Sequence, residues 1–130
     1  MRTQYILKNK NGTFYYSDKK MKKLHREDGP AVEWADGKNK DWYLNGKRHR
    51  EDGPAIECSN GTKFWYLNGK LHREDGPAIE GAYGSKSWYL NGQELSKAEW
   101  EKRVMKKKTI NINGKAFTIE ELNNLIASVK

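Results

Sequence analysis

All three histidines of this 130-residue chain open the same phrase. His25-Arg26-Glu27-Asp28-Gly29-Pro30-Ala31 returns as His49-Arg50-Glu51-Asp52-Gly53-Pro54-Ala55 and as His72-Arg73-Glu74-Asp75-Gly76-Pro77-Ala78, and every proline lies inside it. A base, a cation and two carboxylates in four residues are the ingredients of acid–base chemistry or of a metal site. Pooling them across copies fails on distance. With two strands per copy, spaced about 4.8 Å, equivalent residues stand about 9.6 Å apart, whereas each zinc ligand lies about 2 Å from its ion. Within one copy, His25 and Glu27 share a face of an extended chain, which makes at best a weak site. An enzyme also needs one asymmetric pocket with differentiated roles, and a thrice-repeated phrase offers none. Cys58 is the sole cysteine, at a position held by Trp34 and Gly81 in sister copies, so neither an intrachain disulfide nor a multi-cysteine zinc site is open to it. The glycines sit at turn spacing rather than in a phosphate loop. These residues predict no catalytic group, no metal and no cofactor.

The elements that position the phrase are themselves repeated. Between its copies run Trp42-Tyr43-Leu44-Asn45-Gly46, Trp65-Tyr66-Leu67-Asn68-Gly69 and Trp88-Tyr89-Leu90-Asn91-Gly92, each 23 residues from the next. Repeats at such a period signal stacked supersecondary units. Asn-Gly marks a type I′ hairpin turn, whose two central residues need positive φ. A looser turn follows at Asp36-Gly37, Asn60-Gly61 and Tyr83-Gly84. Two turns per unit predict two antiparallel strands. One covers Lys63 to Leu67, with Phe64 and Tyr66 on one face and Trp65 and Leu67 on the other. The second runs from Lys70 through Glu80, interrupted at Asp75-Gly76-Pro77 because proline cannot donate to a ladder. Structurally, Asp28, Asp52 and Asp75 can bond their own turn backbone, the next glycine can supply positive φ, and Arg26 can pair with Glu27 or Glu33. Asn11-Gly12-Thr13-Phe14-Tyr15-Tyr16 reads as a degenerate fourth copy, as terminal repeats often are.

After the repeats the periodicity becomes helical. Ser96 and Glu99 form a capping box for a helix over about Lys97–Lys107, with Trp100 and Val104 on one face; Thr118 and Glu121 form a second box. Leu122, Leu125, Ile126 and Val129 then make an apolar stripe, which either packs on the chain or pairs with a second copy to give a homodimer. The first helix is placed to cover the open sheet edge. The expected architecture is mainly β with C-terminal helices (α+β): a single elongated antiparallel sheet of stacked hairpin repeats, capped by one or two short helices. Its segments are 1–23, a degenerate repeat and basic stretch; 24–95, the repeats; and 96–130, a helical cap or self-association segment.

Mean hydropathy is low, at −1.06, but fifteen aromatic residues argue for a folded chain with a thin core. No apolar run reaches the roughly 20 residues of a membrane-spanning helix, and no secretory stretch opens the sequence, so a soluble cytoplasmic protein is expected. The net charge of +8 is unevenly placed: +6 over residues 1–23, −1 over 24–92 and +3 over 93–130. The basic excess sits in Lys19, Lys20, Lys22 and Lys23 and in Lys106, Lys107 and Lys108.

A 23-residue unit with an aromatic strand, an Asn-Gly-Lys turn and a histidine soon after it resembles the MORN repeat, a β-hairpin unit that stacks into a single sheet. The resemblance covers residues 11 to 92. It departs where MORN reads Tyr-x-Gly-x-Trp and this chain reads Trp-Tyr-Leu, and at the added Asp-Gly-Pro. The run Trp65 to Ala78 is also similar to small bacteriophage-encoded repeat proteins. That likeness implies a phage protein working in the bacterial cytoplasm, and together with the rigid aromatic repeat surface it gives the expectation of a non-enzymatic inhibitor or modulator of a host defence protein. Extended repeat surfaces serve binding. The residues expected to meet the partner are Arg26, Arg50, Arg73, Tyr43, Tyr66 and Tyr89, with His25, His49 and His72 beside them and Trp42, Trp65 and Trp88 on any unpacked face. The expected partner is a host protein or ribonucleoprotein with an acidic surface. The alternative is nucleic-acid or nucleotide binding, with aromatics stacking bases and lysines neutralising phosphate. Membrane binding is not favoured.

Overall fold

The computed structural model describes residues 3–129. The chain forms two compact units, 1–94 and 95–130. Among the described residues it is mainly β and of the α+β class, with a nine-stranded antiparallel sheet, smaller two-stranded ladders and two helices.

In the first unit a hairpin, β1 (Tyr5–Asn9) and β2 (Gly12–Tyr16), begins the sheet. Three repeats follow. The first supplies β3 (Val32–Trp34), β4 (Lys40–Asp41), β5 (Tyr43–Leu44) and β6 (Lys47–Arg48). The second supplies β7 (Ile56–Glu57), β8 (Lys63–Phe64), β9 (Tyr66–Leu67) and β10 (Lys70–Leu71). The third supplies β11 (Ile79–Glu80) and β12 (Lys86–Leu90), and β13 (Gln93–Leu95) ends the sheet. The sheet order is β1-β2-β3-β4-β7-β8-β11-β12-β13, while β5-β6 and β9-β10 form two-stranded ladders of their own.

The strand expected over Lys63–Leu67 is therefore divided at Trp65. The Trp65 amide donates to Ala78 in the large sheet, and its carbonyl accepts from His72 beyond the Asn-Gly turn. Trp42 does the same with Ala55 and His49. Each tryptophan thus switches partners mid-strand. The Asn-Gly turns are of the expected kind, with φ 51° at Asn45, Asn68 and Asn91 and 80–83° at the glycines after them. The degenerate copy keeps the pattern, since Tyr15 donates to Ala31 and accepts from His25.

Register sorts the two faces. Phe14, Val32, Asp41, Ile56, Phe64, Ile79 and Ser87 lie directly opposite one another across the sheet. One residue along, on the other face, runs Thr13-Glu33-Lys40-Glu57-Lys63-Glu80-Lys86, a row of alternating charge. Cross-strand pairs of opposite charge contribute about 0.2–1 kcal/mol each. The core is thin, as expected. It consists of the wholly enclosed Ala31, Ala55 and Ala78 with Val32 and Leu90 in the first unit, and Trp100 and Val104 in the second.

In the second unit α1 (Lys97–Lys107) starts at Ser96, whose hydroxyl accepts from the Glu99 amide. The Glu99 carboxylate does not complete that box and instead accepts from Arg103 Nε at 2.9 Å. A β-hairpin follows, β14 (Thr109–Ile112) and β15 (Lys115–Thr118), turning at Asn113-Gly114. It falls within the segment expected to be helical. Then α2 (Ile119–Ser128) opens with a complete capping box of Thr118 and Glu121.

Candidate binding surface

Each His-Arg-Glu-Asp-Gly-Pro phrase folds around its arginine. Arg73 Nε donates to Asp75 at 2.8 Å, while its Nη1 donates to the Pro77 carbonyl at 3.0 Å and to Glu80 at 2.8 Å. The guanidinium carbon lies 3.7 Å above the Trp65 ring. Arg50 repeats this with Asp52, Pro54, Glu57 and Trp42, and Arg26 with Asp28, Pro30, Glu33 and Tyr15. Burial alone would lower the Arg26 pKa, but the hydrogen bonds to Asp28 and Glu33 outweigh it and hold it above the ordinary value. The three side chains are only 18–23% exposed.

This clamp corrects the local reading of the turn. Asp28, Asp52 and Asp75 accept from arginine Nε, and Gly29, Gly53 and Gly76 are not among the residues at positive φ. Glycine is needed for room. A Cβ at Gly29, Gly53 or Gly76 would stand 3.1, 3.0 or 2.8 Å from the guanidinium carbon.

The histidines lock one repeat to the next. Nδ1 of His25, His49 and His72 accepts from the backbone amide of Asn45, Asn68 and Asn91, each at 2.9 Å. The amides of Gly46, Gly69 and Gly92 bond the carbonyl just before each histidine, and Arg26, Arg50 and Arg73 donate their own amides to Tyr43, Tyr66 and Tyr89. Acceptance at Nδ1 places the imidazole proton on Nε2, which lies 3.5, 3.5 and 3.8 Å from Glu27, Glu51 and Glu74. Among the described residues no three His, Cys, Asp or Glu are grouped to hold a metal.

Two grooves open between successive phrases. The first, of ≈ 670 Å³, is lined by Trp42, Leu44 and His49 between the loops of the first two copies; the second, of ≈ 470 Å³, by Trp65, Leu67 and His72 between the next two. Their rims are acidic. Glu27, Glu51 and Glu74 are 70, 83 and 53% exposed, and Asp28, Asp52 and Asp75 more so. The arginine charges in the walls are already engaged by Asp52, Glu57 and their equivalents.

The remaining expected residues lie elsewhere. Tyr43 and Tyr66 flank Arg48 at 5.6 and 5.7 Å, on the sheet face opposite the tryptophans. Burial raises the Tyr43 pKa, against the charge of Arg48. The Tyr89 hydroxyl donates to Glu94. Lys19, Lys20, Lys22 and Lys23 are exposed, and Asp18 accepts from the amides of Lys22 and Lys23, which lower its pKa. Lys106 and Lys107 end α1, with Lys108 beside them, all exposed. In α2 Leu122 is half-buried, while Leu125, Ile126 and Val129 just past its end are 52, 57 and 83% exposed.

One cluster was not expected. Asp41 is only 9% exposed, in register between Val32 and Ile56. Burial raises its pKa, with Arg48 and a hydrogen bond from Trp34 partly offsetting it. Its charge also adds to the burial that raises the Cys58 pKa. Sister copies carry Phe64 and Ser87 at the Asp41 position, and Leu24 and Leu71 at that of Arg48. The signal was a charged pair in one copy where the others are mostly apolar. No protein-family model matches the chain, and comparison with curated proteins and with solved structures found no similar chain.

Proposed function

We propose that the protein is a non-enzymatic binding protein that holds another protein along the grooves between its repeats. The observation that carries this is the recurrence of one groove: tryptophan and leucine walls, a locked histidine and an acidic rim, rebuilt one unit along. Rigid repeated walls keep the ordering cost of binding low, and aromatic anchors inside a polar rim are the usual anatomy of a protein interface. The likeness to bacteriophage repeat proteins supports a role in the bacterial cytoplasm as an inhibitor or modulator of a host defence protein. No described helix is long and apolar enough to cross a membrane. The nucleic-acid alternative is weakened by the acidic rims, which repel phosphate. The test is affinity capture from bacterial lysate with the wild-type chain and with Glu51→Lys/Glu74→Lys. One dominant protein lost in the variant, at unchanged thermal stability, supports the reading; the same capture by both chains overturns it.

Self-association is carried by a separate observation. No residue of α2 is buried, and its stripe is exposed at Leu125 and Ile126. A second copy is the proposed cover for it.

A further inference from the structure

We infer that the two grooves take a basic, proline-containing segment of the partner in the polyproline II conformation, one cationic side chain per groove at every third residue. This rests on the proposed binding role and names its ligand. The spacing comes from the sheet. Consecutive grooves are separated by one repeat, which advances two strands, β4 and β7 giving way to β8 and β11, or about 9.6 Å at 4.8 Å per strand. A polyproline II helix repeats every three residues at about 3.1 Å each, or roughly 9.3 Å, with residues i and i+3 on the same side. A β-strand matches poorly. Its same-side residues recur at about 6.7 and 13 Å, and i+3 points away.

The chemistry agrees with the spacing. Trp42 with Leu44, and Trp65 with Leu67, offer flat apolar walls for a proline ring or the stem of a lysine. Glu51 and Asp52 border both grooves, so a cationic head in either one meets carboxylates. The His72 side chain, 9% exposed in the wall of the second groove, is held at Nδ1 by the Asn91 amide and lies 3.8 Å from Glu74 at Nε2, so the wall is fixed in place before a ligand arrives.

The test titrates the full chain with a labelled peptide of three Pro-Pro-Lys triplets, against an alternating Pro-Lys peptide of equal charge, a Pro-Pro-Glu peptide and a single-stranded oligonucleotide. The expected result is saturable binding of Pro-Pro-Lys alone, weakened about tenfold in Glu51→Gln/Glu74→Gln. Circular dichroism and thermal unfolding check that both variants keep the fold. Equal binding of the alternating peptide means unspecific charge attraction and overturns the inference. So does binding of the oligonucleotide or the acidic peptide, an undiminished affinity in the variant, or no binding at millimolar peptide. If the peptide fails while Glu51→Lys/Glu74→Lys still loses its captured protein, the ligand class is wrong and the groove reading stands; if both fail, both fall.

Discussion

Replacing His49 tests whether the histidines join the repeats. Its Nδ1 accepts the Asn68 amide at 2.9 Å, at a turn held in the left-handed region. Alanine removes that acceptor, worth about 0.5–1.5 kcal/mol net, and empties the space of a ring whose side chain is 11% exposed. Together the loss is about 2 kcal/mol. For a chain of this length that lowers the melting temperature by about 7 °C. Asparagine at position 49 carries its carbonyl oxygen at the bond distance of Nδ1 and restores most of the loss; glutamine carries it at the distance of Nε2 and restores little. Urea denaturation gives the energies, and amide hydrogen exchange at Asn68 gives the site. Exchange at Asn68 is expected to quicken in His49→Ala and His49→Gln and to stay slow in His49→Asn. Equal stability of the two amides, or unaltered exchange at Asn68, refutes the inter-repeat lock.

Other consequences follow from the same contacts. Gly76→Ala pushes a methyl to 2.8 Å from the Arg73 guanidinium, displacing it from Trp65 at a cost of about 1–3 kcal/mol; a denaturation midpoint unchanged from wild type would show that the clamp gives freely. The Asp41 pKa is raised in the folded protein, so its contribution is fully present below the ordinary aspartate value of about 3.9 and is lost as pH rises through the higher folded value. Asp41→Asn is therefore expected to be more stable than wild type at pH 7, with the gap closing toward pH 4; a gap that grows toward acid contradicts the assignment. Ile126→Glu should abolish any concentration-dependent mass seen by light scattering, and a wild-type chain that stays monomeric at all concentrations removes α2 as a self-association face.

The hairpin turns were legible because Asn-Gly has one strong local meaning, and Asn45, Asn68, Asn91 and Asn113 all adopt it. Reading Asn113-Gly114 only as the approach to a helix hid β14 and β15, although Thr109-Ile110-Asn111-Ile112 alternates as a strand does. The break at Trp65 was not legible. Its amide and carbonyl reach partners 13 and 7 residues away on different sides, and no local propensity encodes that switch. The arginines were read as exposed binding residues because stacked repeats display equivalent side chains; their stacking on Trp42 and Trp65 comes from repeat-to-repeat packing. That stacking also explains Gly53 and Gly76, which a turn-based reading attributed to φ. Asp41 and Arg48 could be seen only by laying the repeats over one another, where a buried charge replaces Phe64 and Leu71.

The repeated phrase builds the repeats, and the grooves between its copies are the proposed binding surface. The five tryptophans make it directly measurable. In an indole-resolved NMR titration with the Pro-Pro-Lys peptide, Trp42 and Trp65 are predicted to shift together to one saturation point while Trp34 and Trp100 stay still. Saturable shifts at Trp34 or Trp100 without Trp42 and Trp65, or no indole shift at saturating peptide, would contradict the account.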